Sequence, residues 1–196
     1  MDIGQTPAQL AKVAVRDQVL TGRNRLSLVE RRDLARRIAD HLMSAPEIRL
    51  AATVAAYVSV GAEPGTGLLL HDLKAAGKRV VLPILQPDRD LDWAAYEGDR
   101  SLASASLGLL EPTGPRLGPE SIATPDVVLV PGVAVSPTGD RLGRGGGSYD
   151  RALSRVPPGT FVCVLLYDDE VGREVPVEPH DRRVTAAATP SGIVRF

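Results

Sequence analysis

Lysine is almost missing from this chain. Of its 23 basic residues only Lys12, Lys74 and Lys78 are lysines, so no phosphate loop of the G-x-x-x-x-G-K-[ST] type can lie in the C-terminal half. Cysteine is rarer still: the single Cys163 excludes a disulfide framework and a zinc-finger spacing. No run approaches the ~20 apolar residues of a membrane span. Met1 to Pro7 lacks the basic and then apolar pattern of a secretory leader, so a soluble cytoplasmic protein without a membrane partner is expected. Nor does one charge dominate. The 23 Lys+Arg against 24 Asp+Glu leave a net charge of −1, which removes the broad basic surface of a nucleic-acid binder.

What is plentiful is apolar residues and turn formers. With 196 residues, 43% of them hydrophobic, 19 glycines and 16 prolines, the chain reads as one domain, 1–196, with a sizeable core and many tight connections. Residues 1–50 read as helical. Leu10, Val13 and Ala14 mark an apolar face that Gly22 ends. Ser27 and Glu30 stand in capping-box spacing before a second helix, whose Leu34, Ile38 and Leu42 recur every four residues up to Pro46. Strands are expected at Ala51–Val60, Arg79–Leu85, Leu91–Glu97, Asp126–Val135 and Phe161–Tyr167, with a short one near Ile193. A helix over Thr66–Ala76, with Leu69, Leu73 and Ala76 on one face and Gly77 as its cap, and another through Tyr149 to Val156 alternate with them. Leu107–Pro119 reads as a loop. The alternation predicts an α/β fold: a mainly parallel sheet flanked by helices, a Rossmann-like three-layer sandwich.

One segment carries chemistry. Arg141-Leu142-Gly143-Arg144-Gly145-Gly146-Gly147-Ser148-Tyr149-Asp150-Arg151 follows an expected strand and opens a helix. In open α/β sheets, ligands bind beyond the carboxyl ends of the strands. Glycines let backbone N–H groups converge on an anion, a helix N-terminus favours negative charge, and arginines grip phosphate with forked donors. Asp150 offers a carboxylate of the kind Mg²⁺ takes. The segment reads as a nucleotide-phosphate cradle; the competing reading is a flexible glycine turn with solvated arginines. It is no dinucleotide fingerprint, since Gly143 to Ser148 fails G-x-G-x-x-G at its last position. His180 beside Asp181 lacks a Ser or Cys partner for a triad. His41 and His71 read as helix-surface residues, Cys163 and Trp93 as core.

R-L-G-R-G-G-G-S-Y-D-R, preceded by V-L-V-P-G-V-A, resembles the signature of the 5-formyltetrahydrofolate cyclo-ligase, or 5,10-methenyltetrahydrofolate synthetase, family. Further stretches resemble the family in register from Lys12 to Asp181. Lys12-Val13-Ala14-Val15-Arg16 is similar to its K-x-x-L-R, with Val15 for Leu, and Glu63-Pro64-Gly65-Thr66 to its E-x-x-T. Gly77-Lys78-Arg79-Val80 resembles G-K-x-V, Gly108 to Pro112 resembles G-I-x-E-P, and Pro176 to Asp181 resembles P-x-x-x-x-D. The resemblance implies an ATP- and Mg²⁺-dependent ring closure of 5-formyltetrahydrofolate to 5,10-methenyltetrahydrofolate, releasing ADP and phosphate. In the family mechanism the formyl oxygen attacks the γ-phosphate, N10 attacks the activated carbon, and phosphate leaves. The expected partners are a reduced folate and ATP, taken by a monomer.

Carried over residue by residue, the resemblance implies that Lys12, Val13, Ala14, Val15 and Arg16 contact ATP. So would Arg141, Leu142, Gly143, Arg144, Gly145, Gly146, Gly147, Ser148 and Tyr149. Arg16, Val58, Glu63 and the stretch Arg144 to Ser148 would meet folate, Asp150 and Asp181 would associate with magnesium, and Arg144 and Tyr149 are the catalytic candidates. Lys12 and Arg16 are four apart and share a helix face; Arg23 falls close to that face, beyond Gly22. The N-terminal helix must then fold back over the loop at 141–150. Three positions depart from the family: Val135-Ser136 where Phe-Asp is usual, Ser148 in place of a tyrosine, and Glu170 where A-[FY]-x-x-Q ends in glutamine. They leave a second reading open, a catalytically impaired paralogue that binds folate or nucleotide.

Overall fold

The computed structural model describes residues 6–196; the reading of the extreme N-terminus as leaderless falls largely on residues 1–5, outside them. Helix α1 (Pro7–Asn24) opens with a capping box in which the Thr6 hydroxyl accepts from the Gln9 amide and the Gln9 side chain accepts from the Thr6 amide. Two of its expected features are overturned. Gly22 does not end the helix, because one glycine costs only about 1 kcal/mol and the next residue, Arg23, is 2% exposed and held from both sides. The buried face is not Leu10, Val13 and Ala14, which are exposed, but Lys12, Val19 and Arg23. That face is buried through ion pairs, which a hydrophobic stripe cannot reveal. Helix α2 (Leu28–Ser44) starts at the expected Ser27–Glu30 box and buries Ile38 and Leu42. Short α3 (Pro46–Leu50) then leads into the sheet.

The sheet has seven strands in the order β11-β10-β9-β6-β1-β2-β3. They are β1 (Thr53–Ala55), β2 (Arg79–Leu85), β3 (Leu91–Ala95), β6 (Val127–Pro131), β9 (Phe161–Leu165), β10 (Ala186–Thr189) and β11 (Gly192–Arg195). The five inner strands run parallel, and β3 and β11 close the edges antiparallel. Helix α4 (Gly67–Ala75) joins β1 to β2 and ends as expected, with Gly77 at positive φ and the Lys78 amide donating to the Leu73 carbonyl. Ala76 is its exposed cap rather than part of the buried face. Helices α2, α3 and α4 pack Ile38, Leu42, Ile48, Leu69 and Leu73 on one face of the sheet. On the other face lie Trp93, Ile122 and the Ala152–Leu153 end of α5 (Ser148–Leu153). This is the expected three-layer arrangement.

Two expected strands are shorter than the sequence suggested. β1 pairs only over Thr53–Ala55 and leaves the sheet before Val60; β6 ends at Pro131. Beyond it, β7 (Ala134–Val135) and β8 (Arg141–Leu142) form a separate hairpin against which Val19 of α1 packs. The expected loop at 107–119 is partly ordered, its β5 (Leu110–Pro112) pairing with β4 (Leu102–Ser104). After β1 the chain turns to β2 on one side, and β6 later takes the place on the other. β1 and β6 therefore flank the point where strand order reverses, the usual place for a ligand crevice.

Candidate active site

A cleft of about 600 Å³ opens there, a volume within the range of small-molecule sites. Its walls come from the carboxyl ends of β1, β2 and β6, from the loop 141–150, from α1, and from the segment 178–181. Helix α1 does lie over the loop: the Arg16 Nε donates to the Gly143 carbonyl at 2.8 Å. The glycines make room for arginines. A β-carbon at Gly143 would stand 2.9 Å from an Arg141 guanidinium nitrogen, and Gly145, at φ 101°, faces the Arg16 guanidinium.

Each expected cation is already held. Arg141, nearly buried, donates to the Pro131 carbonyl at 3.1 Å and to Asp150 Oδ1 at 3.0 Å, with its guanidinium 5.9 Å from the Tyr149 ring. Asp150 Oδ1 also accepts from the Arg182 amide. Lys12 Nζ lies 2.6 Å from Asp181 and 2.8 Å from Glu178. Burial works against its charge, yet the hydrogen bonds and charges of Asp181 and Glu178 outweigh it and hold the ammonium above its usual pKa. Arg144, half exposed, places its Nε 3.0 Å from Glu63 Oε1, and the other oxygen of that buried carboxylate accepts from the Val60 amide. Burial pushes the Tyr149 hydroxyl well above its ordinary pKa, and the Glu63 charge adds to this.

The expected residues converge, with two exceptions. Lys12, Val13, Arg16, Val58, Glu63, the whole run Arg141–Asp150 and Asp181 line the cleft. Ala14 points to solvent, and Val15 packs with Val19 in the small core under α1. Arg23 is also drawn away, although it follows Lys12 along the helix face: it donates to Glu170 at 2.7 and 2.8 Å and to the Gly132 carbonyl at 2.8 Å. Tyr57, Glu111 and Glu178 line the cleft without having been singled out. Glu178 stands inside the stretch that drew attention to Asp181, and Tyr57 directly precedes Val58. Glu178, His180 and Asp181 bring ligating atoms within 4.8 Å of one another, a group that does not include Asp150.

The model of the 5-formyltetrahydrofolate cyclo-ligase family matches residues 8–190. This chain belongs to that family. It is 45% identical over 148 residues to the 5-formyltetrahydrofolate cyclo-ligase of Mycolicibacterium smegmatis, covering 72% of this chain and 76% of that one. Its identity to the Escherichia coli K12 cyclo-ligase is 32% over 174 residues, 87% of this chain and 96% of the other. The NMR structure of Aquifex aeolicus 5,10-methenyltetrahydrofolate synthetase superposes with a TM-score of 0.81 at 30% identity, over 94% and 92% of the two chains. The Mycoplasma pneumoniae synthetase shares the fold at a TM-score of 0.73 and 23% identity, over 91% and 98%.

Against the cyclo-ligase pattern, two of the three departures sit outside the cleft. Ser136 is buried in a turn, where its hydroxyl donates to Asp140 at 2.8 Å, and Arg183 holds the same aspartate at 2.7 Å. Glu170 is the partner of Arg23, so an acid at this position completes a buried ion pair. Ser148 alone lines the cleft.

Proposed function

We propose that this cyclo-ligase closes 5-formyltetrahydrofolate to 5,10-methenyltetrahydrofolate at the expense of ATP, with Mg²⁺ bound, releasing ADP and phosphate. One observation carries the reading: a single cleft sets Lys12, Arg16, Arg141 and Arg144 beside the buried carboxylate of Glu63. Four cations suit a polyphosphate, and a buried acceptor suits the paired N–H donors of a pterin. The formyl oxygen displaces ADP from the γ-phosphorus; N10 then bonds to the activated carbon, gives up its proton, and phosphate departs. Such a sequence asks the protein for placement and charge neutralisation rather than for a nucleophile of its own.

Across the cleft Arg144 and Glu63 form a neutral pair, while Lys12 faces two carboxylates, Glu178 and Asp181. Glu63 turning to the pterin frees Arg144 for the transferring phosphoryl group; Lys12 turning to the polyphosphate frees Asp181. Arg16 and Arg141, fixed to the carbonyls of Gly143 and Pro131, keep the loop in shape meanwhile. The residues fit magnesium. Asp150 Oδ2 accepts no hydrogen bond among the described residues, and Asp181 Oδ1 has only His180 at 3.6 Å, leaving the hard oxygen donors that this ion prefers. When bound there, Mg²⁺ neutralises phosphate charge.

The test is to incubate the protein with 5-formyltetrahydrofolate and Mg²⁺, with and without ATP, and follow the methenyl product by absorbance. ATP-dependent product is expected. Tight binding of folate or ATP with no turnover would replace the enzyme by the folate- or nucleotide-binding paralogue, a reading that the presence of Ser148 in the cleft keeps specific.

A further inference from the structure

Two carboxylates share one ammonium in the cleft. Lys12 Nζ stands 2.6 Å from Asp181 Oδ2 and 2.8 Å from Glu178 Oε2, and its side chain is 6% exposed. A metal ion bridging the same two oxygens at about 2.0–2.1 Å would stand at nearly the same point. The ammonium and a divalent cation therefore exclude one another there. The Asp181 oxygen that Lys12 holds also accepts from the Glu178 amide at 2.7 Å, so this carboxylate keeps its place when the lysine leaves. Lys12 is able to leave. Its Nζ has no further hydrogen-bond partner among the described residues, and a lysine carries a compact charge on a flexible stem. Arg16 and Arg141, by contrast, are tied to backbone carbonyls.

The charges decide what can take its place. Glu178 and Asp181 carry two negative charges between them, and Lys12 offsets one. With the lysine withdrawn the pair matches a divalent cation; with it in place an incoming ion meets a positive charge in contact. A polyphosphate is the ligand suited to withdraw it, since Lys12 and the loop 141–150 line one cavity and lysine binds phosphate as a point charge. Resting on the function proposed above, we propose that Lys12 orders the binding of metal and nucleotide. Its ammonium holds Asp181 until the phosphates of ATP draw it off, so the carboxylates open to Mg²⁺ with the nucleotide and not ahead of it. Lys12 is thus a stand-in for the metal before ATP binds and a phosphate ligand afterwards.

The competing use of Lys12 is a strap that merely fastens α1 to the segment 178–181. Lys12→Met separates the two, read by calorimetric titration rather than by turnover. Without nucleotide, the variant should bind Mn²⁺ about tenfold more tightly than the parent, and adding Asp181→Asn should remove the gain. In excess EDTA, the same variant should bind ATP about tenfold more weakly. Arg16→Met, one turn along the helix and touching neither carboxylate, should lose ATP affinity with no comparable gain for Mn²⁺. The proposal is overturned by an unchanged Mn²⁺ affinity in Lys12→Met or by a gain that survives Asp181→Asn. An equal gain in Arg16→Met, or an unchanged metal-free ATP affinity in Lys12→Met, overturns it too. Should Lys12→Met fail to fold, Lys12→Gln keeps an N–H donor for the carboxylates without the charge and gives the same readings. A parent that makes no methenyl product while both shifts appear refutes the cyclisation alone; product without the shifts refutes the ordering alone.

Discussion

Arg144 and Glu63 hold one another at 3.0 Å, the arginine half exposed and the glutamate buried, which is the state expected of two ligand-binding groups before either ligand arrives. Replacing Arg144 by Ala removes the most exposed of the four cleft cations, Lys12 and Arg141 being buried and Arg16 half-buried. We expect kcat to fall about 10²–10³-fold, as for other preorganised charge stabilisers, with product formation at saturating substrates as the measurement; a near-normal rate would exclude Arg144 from phosphoryl transfer. Ser148 calls for the opposite change. Restoring a ring with Ser148→Tyr should strengthen folate binding about two- to tenfold, the worth of one aromatic contact, read as a lower KM. At this scale the sequence was informative where residues cluster along the chain, as in Arg141–Asp150, and silent where the partner comes from far away. Nothing local says that Lys12 meets Glu178, because that contact depends on how the cleft is assembled.

Helix α1 illustrates the same limit one level up. That the chain opens on a helix was legible, although the Thr6–Gln9 box that starts it was not singled out. Its buried face was not legible, because it is made of Lys12, Val19 and Arg23 rather than of an apolar stripe. The Arg23–Glu170 pair, both residues about 2% exposed, fastens this helix to the segment after β9, while Arg23 also reaches the carbonyl at the end of β6. Lys12 and Arg16 are thus presented to the cleft by a helix pinned at its far end. Arg23→Ala leaves a buried carboxylate without its cation and should cost about 3–5 kcal/mol, seen as a lower urea midpoint. Glu170→Gln leaves the buried guanidinium without its counter-charge and turns an amide NH2 toward the donors of Arg23 or Tyr167, so it should cost a comparable amount. A loss confined to Arg23→Ala would show that packing, not charge, holds the helix. Strand lengths were misjudged for a related reason. The apolar runs 51–60 and 126–135 continue past the point where β1 and β6 stop pairing, and the surplus residues build the cleft walls and the β7–β8 hairpin instead of sheet.

Across the whole molecule, alternating apolar segments sufficed to predict a mainly parallel sheet between helices. The order of strands did not follow from them, since it is set by where each crossover packs, and the two antiparallel edges arise from short connections. What ties these pieces together is a set of depressed carboxylates. Asp126 accepts from the Ala52 and Thr53 amides and so joins the start of β6 to β1; those bonds pull its pKa below 3.8. Arg155 does the same for Asp90, linking the segment after α5 to the start of β3. Burial opposes the charge of Asp140 and Asp168, but Thr138, Arg183 and Ser136 outweigh it for the first, and Thr189 and Ser191 for the second. In each case the folded pKa lies below the unfolded one, so the unfolded chain binds the extra proton. Their stabilisation is complete above about pH 4 and is lost as pH falls through the folded values. Glu170, pushed up by burial, runs the other way above pH 4.5, a single group against these four. Unfolding free energy should therefore decline steeply below pH 3.8. Asp140→Asn should lower stability near neutrality by about 1 kcal/mol, allowing for the exposure of Arg183. The gap between variant and parent should then close as the parent's own Asp140 is protonated. Urea melts at a series of pH values measure that gap, and one that stayed constant from pH 7 to pH 2 would show that the Asp140 charge does not hold the turn.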